Sequence, residues 1–301
     1  MNFAEKISFM TLDVISRIGF GEPFGSLLAD RDVDGFLDAS NKGLPLMNAV
    51  AAVGLTPIIQ IPWVFRIFGP NERDKEGLGK MLANAIKIIE KRVKQGVDVS
   101  KKSDMIASFV RHGVGKEDLV SEACLQIVAG AETTSSSLRG IMLYLLANPR
   151  VYAKLQAEVD AAVADGSAAP SPAIVSDAVV RKLPYLQAVI REAIRIHPPV
   201  TSELPKRVPA GGETVTVDGK PVYIPGGTDV AISVLGMFRR QTIFGEDVDV
   251  FRPERWLVER DEGKLAAMNR TVDLVFGYGK YQCLGRPIAL TEMGKAVFEV
   301  S

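Results

Sequence analysis

Cys283 sits in the ten-residue run Phe276-Gly277-Tyr278-Gly279-Lys280-Tyr281-Gln282-Cys283-Leu284-Gly285, a glycine-rich loop that opens onto an apolar, helix-patterned segment over 286–300. Glycines let a backbone turn tightly and approach a flat ligand closely, and a helix N-terminus favours negative charge on a nearby sulfur. The chemistry this suits is a thiolate metal ligand, and a thiolate on haem iron is one of the few uses that fits. The plainer reading of the same residues is a buried structural cysteine beside a turn.

A second constellation is Ala129-Gly130-Ala131-Glu132-Thr133-Thr134, followed by three serines, in the middle of the longest helical pattern of the chain. Glycine and hydroxyl side chains loosen helix hydrogen bonds. A groove opened in this way holds a water or a dioxygen molecule, and an acid beside an alcohol offers a proton route to it. The plainer reading is a solvated Glu132 with its hydroxyl neighbours facing an adjacent helix. Glu192 and Arg195, three apart on a further helix, share a face and can pair; as a surface pair they would contribute about 0 to 1 kcal/mol. The glycine cluster Gly19-Phe20-Gly21-Glu22-Pro23-Phe24-Gly25 follows a helical pattern instead of a strand and contains a proline, which argues against a dinucleotide loop.

The elements that must position these residues are mostly helices. Helical periodicity covers 2–18, 34–41 and 71–94, where Leu78, Met81, Ala85 and Ile89 fall on one face. It continues over 116–146, which Asn148-Pro149 terminates, and over 149–164, with Pro149 at its start and Gly166 just past its end. A helix over 184–196 begins at Pro184 and stops at His197-Pro198-Pro199. Alternation then predicts a hairpin, 213–217 and 221–224, turned through Asp218-Gly219. No linker or composition shift marks a boundary, so 1–301 reads as a single domain, mainly α with a small β-sheet region.

At 47% hydrophobic and 24% charged, the 301 residues describe an ordered globular chain. Lysine plus arginine equals aspartate plus glutamate at 36 each, so no basic field recruits nucleic acid, and no nucleic-acid partner is expected. Two cysteines far apart in sequence, Cys124 and Cys283, do not make a disulfide framework, which points to a reducing or cytosol-facing environment. Zinc is excluded by the absence of a C-x-x-C pair and by the isolation of His112 and His197, which read as surface or loop residues. The first twenty residues carry Glu5, Lys6, Asp13 and Arg17 and do not read as a signal peptide. The uncharged run 43–65 is long enough to span a bilayer, but Pro45, Gly54, Pro57 and Pro62 are expected to break it into short pieces that suit membrane-surface or substrate contact.

The cysteine loop resembles the haem-binding signature of the cytochrome P450 family at Phe276, Gly277, Gly279, Cys283 and Gly285. Three further motifs occur in family order. Ala129 to Thr134 resembles the oxygen-activation motif, with Glu132 and Thr133 at the acid and first threonine that promote protonation. Glu192 and Arg195 match the Glu-x-x-Arg pair, and Phe251-Arg252-Pro253-Glu254-Arg255-Trp256 matches the segment whose arginine, here Arg255, completes a buried structural triad.

The resemblance implies a partial cytochrome P450 fold with Cys283 as metal ligand and haem b (iron protoporphyrin IX) as cofactor. It also makes Arg207, after the Pro198-Pro199 break, a haem-propionate contact. Two residues before the cysteine the family commonly has arginine or histidine, whereas here it is Tyr281, which leaves neighbouring Lys280 as the candidate cofactor contact. The turn 199–204 is implied to face substrate, and 43–65 to form the roof of the access channel near the membrane. The implied function is a haem-thiolate monooxygenase that inserts one oxygen atom from dioxygen into a small apolar organic substrate, with an NADPH-dependent reductase as electron donor.

Complete members of the family are longer at both ends, and full-length members with an N-terminal anchor sit on the cytosolic face of the endoplasmic reticulum membrane. No such anchor is visible in these residues. Two alternatives therefore stand beside the monooxygenase: a non-catalytic remnant that does not retain haem, and a haem-thiolate isomerase or dehydratase.

Overall fold

A computed structural model of the chain describes residues 2–94, 103–201, 204–259 and 261–301. They group into two compact units, Met1–Ser135 and Ser136–Ser301, and the division falls inside a helix, so no change of composition marks it. Each unit is described by itself.

The first unit holds α1 (Phe3–Phe20), α2 (Ser26–Ala29), α3 (Phe36–Ala52), α4 (Thr56–Ile59), α5 (Pro62–Phe68), α6 (Gly77–Lys94), α7 (Met105–Arg111) and the beginning of α8 (Lys116–Ala147). Asn2 caps α1 through its side chain and Gly21 ends it in the left-handed region, so both ends follow from residue type. The core is built from the apolar stripes of these helices: Phe9, Leu12 and Ile15 from α1, Met81, Ala85 and Ile89 from α6, and Ala123, Ile127 and Ala131 from α8. The α6 stripe is the one its periodicity predicts.

The run 43–65 differs from expectation at its first proline. α3 continues through Pro45 to Ala52, because a proline inside a helix removes one backbone donor while the flanking turns hold. Gly54, at φ 72°, then ends the segment, and Pro57 and Pro62 each stand in the first turn of the short helices α4 and α5, as the breaks there require. Trp63, Phe65, Ile67 and Phe68 are exposed along α5. Among the described residues, no helix is long and apolar enough to cross a membrane.

The second unit continues from α8 through α9 (Pro149–Ala164), α10 (Asp177–Val180) and α11 (Pro184–Ile196). Two antiparallel pairs follow, β1 (Lys206–Arg207) with β4 (Asp229–Val230) and β2 (Glu213–Val217) with β3 (Lys220–Ile224). The β2–β3 register puts Val217 opposite Lys220, and the turn residues Asp218 and Gly219 both have positive φ, as a two-residue hairpin turn demands. After these come α12 (Val234–Phe238), α13 (Gln241–Phe244), α14 (Arg255–Val258), α15 (Glu262–Asp273) and α16 (Arg286–Val300). α11 is the hub of this unit, packing against α9, α14, α15 and α16. This is the mainly α architecture with small two-stranded sheets that the sequence predicts.

Candidate active site

The cysteine loop is shaped by two glycines in the left-handed region, Gly277 at φ 72° and Gly279 at φ 59°. A Cβ on Gly277 would lie 2.5 Å from the Tyr281 carbonyl oxygen, so any side chain there would force the turn open. The turn is closed by the Cys283 amide, which donates to the Phe276 carbonyl at 2.6 Å. The Phe276 ring is covered by the Arg286 guanidinium, 5.3 Å from its centroid, and Arg286 in turn reaches Asp273 at 2.9 Å. Gly285 precedes the first turn of α16, and its absent Cβ would make only ordinary contact, 3.7 Å, with Cys283 Sγ.

The loop therefore presents Cys283 exposed to solvent, and the reading of a buried structural cysteine does not apply. Cys124, by contrast, is half-buried against the first core, and burial pushes its thiol up. Among the described residues, no group of three or more histidine, cysteine or acidic side chains is placed to hold a metal ion. His112 and His197 are exposed.

In the second unit, Glu192 and Arg195 of α11 and Arg255 of α14 are buried, at 0%, 0% and 2% exposure, and the surface-pair alternative is thereby removed. Arg195 forks onto Glu192 with Nε to Oε2 at 2.9 Å and Nη2 to Oε1 at 2.8 Å. Arg255 Nε donates to Oε1 at 2.9 Å, the Arg252 amide to Oε1 at 3.0 Å, and Trp256 Nε1 to Oε2 at 3.0 Å. The remaining guanidinium donors are used on backbone carbonyls: Arg195 Nη1 serves Phe238 and Val248, and Arg255 serves Phe244, Asp247 and Val250. A buried ionic cluster is tolerable only when satisfied in this way. Burial works to raise the Asp247 carboxyl, but the hydrogen bond and charge of Arg255 outweigh it and hold the group below its ordinary value.

Glu254 ties the same irregular segment to α9 and α11, accepting from Arg150 at 2.6 Å, Lys154 at 2.8 Å and the Tyr185 hydroxyl at 3.2 Å. Its burial opposes ionisation, yet the two cations bring its carboxyl down to about 2.

In the first unit, α8 runs without interruption through 129–134, so the expected local opening is not seen. The hydroxyls fold back onto the helix instead, Thr133 Oγ1 donating to the Ala129 carbonyl at 2.7 Å and Ser135 Oγ to that of Glu132 at 3.2 Å. Gly130 has a packing reason: a Cβ there would lie 2.5 Å from Ile15 Cγ1, so the glycine permits close approach of α1 and α8. Glu132 and Thr133 are half-buried side by side on α8.

Arg207 lies on β1 and forks onto Asp229 of β4 at 2.9 and 3.0 Å, with its side chain mostly exposed. Lys280 is exposed, its Nζ 5.0 Å from the Tyr281 ring centroid. Of the expected substrate-facing turn 199–204, Ser202 and Glu203 lie outside the described residues.

The cytochrome P450 family model matches residues 1–300. The chain belongs to the cytochrome P450 family. Among curated relatives, it is 40% identical over 301 residues to the cytochrome P450 monooxygenase ABA1 of Pyricularia oryzae, covering all of this chain and 57% of the relative. It is 31% identical to the cytochrome P450 monooxygenase ACRTS1 of Alternaria alternata, over 99% of this chain and 79% of that protein. It is 29% identical to the pisatin demethylase of Fusarium vanettenii, over 98% of this chain and 55% of that protein. The chain thus spans little more than half the length of most of these relatives.

Membership of the cytochrome P450 family implies a haem-iron cofactor, and the residues present fit one. Cys283 offers an exposed thiol on a turn that Gly277 allows to close tightly on itself, and among the described residues no cluster of other ligands competes with it.

One P450 residue escaped the sequence reading. Glu292, on α16, has Oε1 buried with no hydrogen-bond partner, and desolvation pushes its carboxyl up to about 8 from the ordinary 4.5. The signal available was an acid inside the otherwise apolar run Ile288, Ala289, Leu290, Met293. The folded state keeps a proton that the unfolded chain releases above pH 4.5, so the fold loses stability as pH rises from about 4.5 to about 8 and levels off above that. Glu292→Gln should leave stability at pH 4 unchanged and raise it by several kcal/mol, up to about 5, at pH 9. Urea unfolding at both pH values checks this, and parallel pH profiles for parent and variant would refute it.

Proposed function

We propose that the chain is the haem-thiolate portion of a monooxygenase that inserts one oxygen atom from dioxygen into a small apolar organic molecule, with electrons from an NADPH-dependent reductase. The observation that carries the reading is the exposed Cys283 on a turn closed by its own amide, backed by the satisfied Glu192, Arg195 and Arg255 cluster. Haem b, bound through Cys283, would supply the redox chemistry by which dioxygen is activated.

The chain's own contributions follow from its residues. Cys283, as thiolate, holds the cofactor and donates electron density, and Phe276, Gly277, Gly279 and Gly285 keep the loop flat and close. The buried cluster keeps the segment 238–256 fixed against α11, and Asp273, just before the loop, is shared by Arg191 of α11 and Arg286 of α16. Glu132 and Thr133 relay protons during oxygen activation, the acid exchanging with solvent and the hydroxyl presenting the proton. This pair favours the monooxygenase over an isomerase or dehydratase, neither of which needs proton delivery to dioxygen.

The test is spectroscopic. The chain loaded with haem and reduced under carbon monoxide should show the band of thiolate ligation; a chain that stays colourless is the non-catalytic remnant. The relay has its own check. With reductase and NADPH, Thr133→Ala should divert most of the electrons consumed into hydrogen peroxide, and an unchanged peroxide yield would remove Thr133 from the relay.

A further inference from the structure

We infer that a propionate of the bound haem is held by two lysines that approach the Tyr281 ring, Lys206 and Lys280, and that Arg207 takes no part. The inference rests on the haem-thiolate reading above.

Neighbouring residues of a strand point to opposite faces. On β1, Arg207 is committed to the Asp229 carboxylate across the strand pair, with both contacts of its fork used there. Lys206 accordingly projects the other way, and its Nζ lies 4.6 Å from the centroid of the Tyr281 ring. Lys280 approaches the same ring at 5.0 Å. Two ammonium groups thus approach one aromatic ring, two residues before the proposed ligand cysteine.

Neither lysine has a carboxylate partner among the described residues, in contrast to Arg207, Arg286 and Arg191, each of which is paired. A ring face offers an ammonium only a modest attraction, and two like charges sharing it repel each other. An anion within reach of both would offset the repulsion and take up their free donors. The anion that a porphyrin held by Cys283 would bring to this loop is its own propionate carboxylate. The Tyr281 hydroxyl adds one neutral donor, so that two point charges and a hydroxyl replace the planar fork of an arginine.

The experiment compares haemin with its dimethyl ester, which keeps the ring and iron but has no carboxylate. Each is titrated into the apo form of the 301-residue chain and followed by the Soret band. The parent should bind haemin more tightly than the ester. Lys206→Gln should weaken haemin binding roughly fivefold to tenfold while leaving the ester unchanged, and the Lys206→Gln/Lys280→Gln pair should erase the preference. Lys206→Arg should restore it, and Arg207→Ala should keep haemin affinity within about twofold of the parent. The ester serves as the folding control, since a misfolded variant loses both ligands.

A parent that binds the two porphyrins alike overturns the proposal, as does a preference that survives in the double variant or disappears in Arg207→Ala. Loss of the thiolate band with the carboxylate preference intact would instead overturn the monooxygenase reading alone.

Discussion

Cys283→Ala should abolish the thiolate-type band of the reduced, carbon monoxide-treated chain and should weaken haem retention by more than the 10-fold to 100-fold typical of losing an outer-shell partner. Cys283 is the sulfur the loop presents to solvent, and the other cysteine, Cys124, is half-buried against the core of the first unit. Cys283→Ser keeps the shape of the loop, including the amide bond to the Phe276 carbonyl, but offers a hard oxygen in place of a soft sulfur. It should therefore leave the far-ultraviolet spectrum unchanged and shift the visible one. A Cys283→Ala chain that keeps the parent's band would show that some other group ligates the iron.

The second large effect is on stability. In Glu192→Gln, the two guanidinium groups of Arg195 and Arg255 remain in a space with no solvent access while their shared anion is gone. Removing one member of a buried ion cluster costs about 3 to 5 kcal/mol, which for a chain of this size lowers the melting temperature by roughly 10 °C. Arg255→Lys should also destabilise, because an ammonium cannot reach the Phe244, Asp247 and Val250 acceptors that the fork serves together. Thermal denaturation followed by circular dichroism reads both. A loss under about 1 kcal/mol in Glu192→Gln would mean that the cluster behaves like an exposed pair.

The helices with sharp punctuation were legible to the residue. Pro149 and Pro184 each supply a first-turn residue with no amide to waste, and α9 and α11 begin there. The hairpin was legible because Asp218-Gly219 is one of the few dipeptides that accept positive φ at both positions. Pro45 misled, since a proline weighs against a helix locally while the packing of α3 on α6 is a property of the fold. The grouping into two units was invisible because it falls inside α8, where nothing in the periodicity changes.

At the site, Gly277 and Gly279 were readable because their left-handed backbone favours glycine, a constraint that is written locally. The lysines were harder. Whether Lys206 or Arg207 faces the loop depends on which of them Asp229 engages, and that acid lies 22 residues away in sequence. Glu292 was missed for a related reason: an acid on a helix is unremarkable until the surroundings of its oxygen are known.

Glu192 also sets an order of events. Its oxygens collect donors from Arg252, Arg255 and Trp256, which follow it by 60, 63 and 64 residues. Joining ends so far apart in a loose chain is entropically costly and slow, and no single one of these bonds is strong enough to hold such a closure on its own. The segment 238–256 should therefore acquire its shape in one concerted late step, once α11 has formed. A polypeptide emerging from the ribosome would carry Glu192 and Arg195 in water until the residues near 255 had been made.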